Sequence, residues 1–104
     1  MMNEIHQVSK LLMYDGPSAA ELVQNAVENG DEFKITNDGD LTILTIDSVV
    51  AYNLKVTDVF NYNEEGQLIK QVLIMNGKER VIFDKYTEAS NILEKLTCKN
   101  VLVS

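Results

Sequence analysis

The sequence predicts an α+β domain in which two N-terminal helices precede an antiparallel meander of about five strands, followed by one C-terminal helix. The apolar periodicity changes from helical spacing to alternation after Gly30, and the strand-like segments are joined by short, turn-forming connections. Short connections cannot cross over a sheet, so neighbouring strands must be antiparallel. Helices this short need to bury an apolar stripe, so all three are expected to pack on the same face of the sheet.

The clearest helix is predicted over residues 18–29. Ser18 and Glu21 have the spacing of a capping box, and Gly30 supplies a stop signal. Its apolar stripe consists of Ala19, Leu22, Val23, Ala26 and Val27. An earlier helix is predicted from about Asn3 to Tyr14, and a third from about Thr87 to Thr97.

The strand signals begin with residues 33–36 and 41–46, which flank the turn sequence 37–40. A long apolar stretch follows from about Val49 to Tyr62. Two interpretations of its start remain open: a bulge near Asn53, or a helical turn over residues 48–53 capped by Asp47.

The second half of the predicted sheet contains two more strands and a possible third. Residues 68–75 form the most apolar strand, which is therefore expected at the centre of the sheet. Asn76-Gly77 is a strong hairpin signal, and residues 80–84 return as the next strand. Residues 101–103 are expected to add a short terminal strand.

Length and composition indicate one globular domain spanning residues 1–104. The chain is 45% hydrophobic and 24% charged, which is ordinary for a folded domain. Its single cysteine, Cys98, fits a reducing compartment, and neither a secretory signal nor a membrane span is recognisable. We therefore expect a cytoplasmic protein. Eight lysines against one arginine, with ten asparagines, suggest an AT-rich genome such as that of a low-GC bacterium or its phage.

The net charge of −7 is concentrated in the first half of the chain. Residues 1–54 contain nine acids and two bases, whereas residues 55–104 contain seven of each sign. Such a field repels phosphate and disfavours nucleic acid as a partner. Only Lys70, Lys78, Arg80 and Lys85 would be available for a basic patch. The acidic excess suits a basic protein partner, or solubility alone, and the candidate interaction surface consists of Glu28, Asp31, Glu32, Asp38 and Asp40.

No residue pattern assigns a catalytic group, a metal or a cofactor. The only histidine, His6, has no companion ligand at helical spacing, and Cys98 has no second thiol. The turn with Asp38 and Asp40, with Asp47 nearby in sequence, offers carboxylates for a hard cation, but an ordinary hairpin requires the same turn residues.

A pocket between sheet and helices is the alternative site. Asp58 and Asp84 interrupt apolar strands, either as pocket acids or as charges that protect a sheet edge. Tyr52, Phe60 and Tyr62 would line this pocket, although aromatic residues in strands usually pack in the core.

These observations favour a non-enzymatic protein–protein interaction, regulatory or accessory module. Its partner would be another protein or a second copy of the chain, reached through the acidic surface or an exposed sheet edge. Two alternatives stay open: a small-molecule-binding domain or minor enzyme, and a DNA-mimic inhibitor whose carboxylates imitate phosphates.

Overall fold

The computed structural model describes the backbone of residues 2–103 and the side chains of residues 5–95. The three helices are α1 (Met2–Met13), α2 (Ala19–Asn29) and α3 (Lys85–Val103). The five strands are β1 (Glu32–Asp38), β2 (Leu41–Val50), β3 (Leu54–Tyr62), β4 (Leu68–Met75) and β5 (Lys78–Asp84). This confirms the predicted α+β class.

The chain divides into two compact units. The sheet unit, residues 15–83, contains α2 and the sheet, and the helical unit contains α1 and α3. The expectation of a single domain stays a prediction.

The residues predicted to begin and end α2 make the expected capping hydrogen bonds. The Ser18 Oγ accepts a hydrogen bond from the Glu21 N–H at 3.1 Å, which satisfies one of the free amides of the first turn. Gly30 adopts the left-handed conformation with φ 75°, and its N–H donates to the Val27 carbonyl. The Asp31 N–H donates to the Ala26 carbonyl, completing a Schellman motif that directs the chain into β1.

The sheet follows chain order, β1-β2-β3-β4-β5. The central strand is therefore β3, and the expectation that residues 68–75 lie at the centre is wrong. A meander places its third strand in the middle whatever the composition of the fourth. Most side chains of β4 are half-buried, so its apolar character reflects partial cover on both faces.

The start of the Val49–Tyr62 stretch combines a strand and a helical turn. β2 continues through Val50, and Ala51–Asn53 form a short 3-10 turn. Tyr52 and Asn53 both have positive φ, 62° and 57°. The bulge lies at the other end of β3, where its pairing with β4 shifts between Asn61 and Tyr62.

The C-terminal segment differs from the expectation. α3 begins at Lys85, because the Asp84 Oδ1 accepts a hydrogen bond from the Thr87 N–H at 3.1 Å and so caps the helix. It then continues to Val103, so the predicted strand at residues 101–103 is wrong. No glycine or proline interrupts this segment, and nothing local stops the helix.

The core of the sheet unit lies between α2 and the middle strands. Its buried residues are Ala26, Leu44, Ile46, Phe60, Tyr62 and Leu68, and Ala19, Leu22, Val23 and Phe83 pack around them. Leu44 pairs with Phe60 across β2 and β3. The stripe predicted on α2 is thus the stripe that is buried, except that Val27 remains exposed.

The helical unit contains a buried lysine. Lys85 is only 1% exposed, and its Nζ donates hydrogen bonds to the carbonyls of Leu12 at 3.2 Å and Tyr14 at 2.7 Å. The Leu12 carbonyl lies in the last turn of α1 and the Tyr14 carbonyl just beyond it, where the helix dipole favours a cation. Lys85 is therefore not available for the basic patch that its sequence position suggests.

Nowhere in the described residues does a helix reach the length and apolarity needed to cross a membrane.

Replacing Leu44 with Ala should destabilise the protein by about 3 kcal/mol, because Leu44 is fully buried and the truncation leaves a cavity. The free energy of unfolding from urea titration would measure this. Ile35→Ala in the neighbouring strand is the control, since Ile35 is half exposed and its truncation should cost less than about 1 kcal/mol. Equal losses at the two positions would contradict the described core.

Candidate functional site

The five acids of the predicted interaction surface do not form one patch. Asp31 and Glu32 lie at the start of β1, whereas Asp38 and Asp40 lie at its far end, around the turn to β2. Strand geometry separates Glu32 from Asp38 by about 20 Å. Glu28 belongs to the last turn of α2, where its carboxylate accepts a hydrogen bond from the Gln24 side chain.

The end of the sheet that contains Asp31 and Glu32 also holds a cleft of about 580 Å³. It lies where α2 ends, β1 begins, β2 ends and β3 begins. We call it the acidic cleft; its lining residues are Asn29, Gly30, Asp31, Glu32, Asp47, Ser48, Val49, Lys55, Val56 and Thr57.

The sequence suggests Asp47 as a helix cap or as a carboxylate near the Asp38–Asp40 turn, but the structure places it at the other end of β1. In the β1–β2 register it stands directly opposite Glu32. Like charges at opposed positions of an antiparallel pair destabilise the sheet, so this pair favours a positive charge nearby. The Thr57 Oγ1 donates a 2.6 Å hydrogen bond to the Asp47 Oδ1, which fixes the carboxylate beside the cleft. That Asp47 lies opposite Glu32 follows only from the strand register, which the sequence pattern does not specify.

Exposed apolar residues border the acidic cleft on the β2–β3 hairpin. Val49 and Val50 are exposed at the end of β2, and Tyr52 is fully exposed at the tip. Tyr52 also has a left-handed backbone, φ 62° and ψ 31°, which costs a bulky residue about 1 kcal/mol or more. Since its ring is fully solvated, packing within the described chain gives no reason for an aromatic residue here.

The opposite end of the sheet unit is closed by hydrogen bonds. The Asn63 Oδ1 accepts from the N–H groups of Glu65 and Gln67. The Gln67 side chain donates to Asp15, and the Leu68 N–H donates to the Asp15 carbonyl. We call this the closed end, and the end with the acidic cleft the open end.

The residues of the predicted pocket have separate roles, and none of them lines the acidic cleft. Phe60 and Tyr62 are core residues, as their alternation also allows, and Tyr52 lies at the hairpin tip. Asp58 stands on the central strand between Ile46 and Leu73, so it does not protect a sheet edge. Its Oδ1 accepts a 3.5 Å hydrogen bond from the Gln71 side chain.

Asp84, the last member of the predicted pocket, ends β5 and caps α3. An N-terminal cap uses its carboxylate fully, so helix initiation accounts for this acid without a ligand.

The titrating group of Tyr62 is strongly altered by its environment. The side chain is 2% exposed, and its hydroxyl donates a 2.8 Å hydrogen bond to the Pro17 carbonyl. Burial, with a smaller contribution from the charge of Glu21, raises the pKa of Tyr62 from 10.0 to about 12. This neutral phenol anchors the closed end through its hydrogen bond to Pro17.

Among residues 5–95, no three histidine, cysteine, aspartate or glutamate side chains are grouped to hold a metal ion. His6 is exposed on α1, and Asp38 and Asp40 are exposed around the β1–β2 turn. The side chain of Cys98 lies outside the described residues.

We predict a high-pH loss of stability that depends on Tyr62. Because its folded-state pKa exceeds the ordinary 10.0, the neutral phenol stabilises the fold fully below pH 10.0, and this contribution is lost as the pH rises through about 12. The absorbance titration of the wild type minus that of Tyr62→Phe should show a phenolate midpoint near 12, and the free energy of unfolding of the variant should fall less between these two pH values. A difference midpoint at the ordinary value would contradict the buried phenol.

Comparison with known proteins gives no relative: no protein-family model, no curated sequence and no solved structure matches the chain significantly.

Proposed function

We propose that this protein is a non-enzymatic interaction module that binds a positively charged segment of another protein at the acidic cleft. The opposed carboxylates of Glu32 and Asp47 are the observation that carries this proposal. With Asp31 they place three acids around the cleft against a single base, Lys55. A lysine or arginine of a partner would relieve their mutual repulsion. The cytoplasm, the compartment suggested by the single cysteine, is the proposed location.

The apolar rim of the acidic cleft supports a protein partner over a simple ion. A protein contact typically has an aromatic or aliphatic anchor beside its charged groups. Tyr52 can supply that anchor, with Val49 and Val50 next to it. If the Tyr52 ring contacts a partner, binding explains both its strained backbone and its full exposure.

The difference between the two ends of the sheet unit supports the same location. At the closed end, Asp15, Asn63 and Gln67 use their polar groups on one another and on the backbone. At the open end, Glu32 and Asp47 stand directly opposite each other across β1 and β2. The open end thus combines a like-charge pair with the exposed apolar side chains of Val49, Val50 and Tyr52.

A second candidate is binding of a small organic cation in the same cleft. Its volume of about 580 Å³ is within the range of small-molecule sites, which favours this function. The two candidates differ in their need for Tyr52, which lies outside the cleft lining. Calorimetry with a polyamine such as spermidine would support the second candidate if binding survived Tyr52→Asn and vanished in a cleft variant.

The cleft proposal predicts that neutralising its opposed acids abolishes partner capture. Proteins retained from native lysate by the immobilised chain at low salt, quantified by mass spectrometry, should fall at least tenfold for the double variant Glu32→Gln, Asp47→Asn. Raising the salt should cause a similar loss for the wild type. The variant should fold at least as stably as the wild type, because the like-charge pair is removed.

The matched control for this variant is Glu64→Gln with Glu65→Gln. It removes the same charge from the exposed turn between β3 and β4, away from β1 and the cleft, and retention should stay within about twofold of the wild type. Equal losses in both double variants would show that only net charge matters and would overturn the cleft proposal.

The hairpin tip gives an independent prediction. Tyr52→Asn removes the ring while keeping a residue that tolerates positive φ, so the free energy of unfolding should be unchanged or slightly higher. Capture of the same partners should fall at least tenfold, as expected for an aromatic anchor. Unchanged capture by this variant would exclude Tyr52 from the binding surface.

A further inference from the structure

The outer edge of β1 is free for pairing. β1 is the first strand of the sheet, with β2 as its one neighbour, and all seven of its residues are exposed. Its register with β2 is continuous from Glu32 to Asp38, without a bulge, and the strand contains no proline. Bulges and prolines are two devices that protect sheet edges, and β1 has neither.

Two apolar side chains of β1 stand next to the core but are only partly covered. Phe33 pairs with Ile46, and Ile35 pairs with Leu44, so both stand beside buried core residues on the face that bears α2. Yet Phe33 is 42% exposed and Ile35 is 51% exposed. An additional strand carrying apolar residues opposite them would cover both and continue the core by one strand.

The other edge of the sheet differs from β1. β5 begins with three charged residues, Lys78, Glu79 and Arg80, which is a common protection against unwanted pairing. β1 carries two charges of opposite sign near its start, Glu32 and Lys34, and one at its end, Asp38. Between these charges its surface is suited to an apolar or hydroxyl-bearing strand.

We propose that the basic partner segment binds as an added strand, pairing antiparallel with the free edge of β1. This inference rests on the proposed function, because Glu32 belongs both to β1 and to the acidic cleft. A basic residue opposite Glu32 therefore stands beside the cleft, and a second one opposite Asp38 pairs with the other end of β1. Lys34 between them requires a neutral or acidic residue.

Charge selects a basic partner over a second copy of the chain. Residues 1–54, which contain α2, β1 and β2, hold nine acids against two bases. Joining two copies through β1 would bring these acidic halves together, and like-charge juxtaposition costs affinity. A basic segment meets the same surface with attraction.

The expected strand has a definite pattern over seven residues. Opposite Asp38 to Glu32 in turn, it reads basic, polar, hydroxyl-bearing, apolar, polar, apolar, basic. The probe is an acetylated and amidated heptapeptide, Lys-Thr-Thr-Val-Thr-Val-Lys, with a scrambled peptide of identical composition as the control.

The test is amide hydrogen exchange of the full chain, measured by NMR with saturating probe peptide. In an added strand, every second amide of β1 donates to the new neighbour, so alternate amides between Glu32 and Asp38 should exchange at least tenfold more slowly. The scrambled peptide should leave their exchange unchanged. Cleft binding without strand addition would instead shift the signals of Asp31, Asp47 and Val49 with no alternation along β1.

Variants on the two edge strands, β1 and β5, test whether the probe binds at β1. Phe33→Lys with Ile35→Lys should weaken probe binding at least tenfold, while β1–β2 pairing remains because both positions are exposed. Val81→Lys, an exposed position on β5, should leave binding unchanged. Equal effects of the two changes would overturn the inference.

The remaining outcomes decide between this inference and the proposed function. Cleft shifts without alternating protection would overturn strand addition and leave the interaction module supported. No binding of the probe, together with lysate capture that is insensitive to Glu32→Gln and Asp47→Asn, would overturn both. Alternating protection of β1 without any peptide, with a dimer mass in sedimentation, would assign the edge to a second copy and overturn the inference.

Discussion

The helix α2 is about 10 Å wide, the width of about two strand spacings, and this limits how much of the five-stranded sheet it can bury. The buried core residues accordingly come from α2 and the middle strands β2, β3 and β4. Every residue of β1 is left exposed, although Phe33 and Ile35 stand beside the core. Phe33 and Ile35 of β1 therefore lie at the margin of the core that α2 covers.

Polar side chains make different interactions at the two ends of the sheet unit. At the closed end, the Asn63 side chain accepts from the turn amides of Glu65 and Gln67, and the Tyr62 hydroxyl donates to the Pro17 carbonyl. These contacts fix the strands where α2 begins. At the open end, Glu32 and Asp47 carry a repulsion that folding alone does not require. Backbone strain at Tyr52 and a like-charge pair located together are a reason to look for binding there.

Features set by neighbouring residues could be predicted from the sequence, and those set by register or tertiary contact could not. Ser18 and Gly30 mark the ends of α2 through bonds to residues within five positions. The opposition of Asp47 and Glu32 depends on a strand register that composition does not specify. Burial of Lys85 contradicts its usual preference for the surface, because its partners lie more than seventy residues earlier in the chain. The acidic character of the site was evident from charge, but its division into two ends was not.

The hydrogen bonds from Lys85 to the carbonyls of Leu12 and Tyr14 affect the order in which parts of the chain can fold during synthesis. A ribosome releases α1 first and must then synthesise the whole of the sheet unit before Lys85 emerges. Until that moment the two hydrogen bonds from the Lys85 ammonium group cannot form, and a helix of 12 residues is marginal by itself. During translation the sheet unit can therefore fold while α1 is still fluctuating, and the ammonium group of one late residue completes the N-terminal helix.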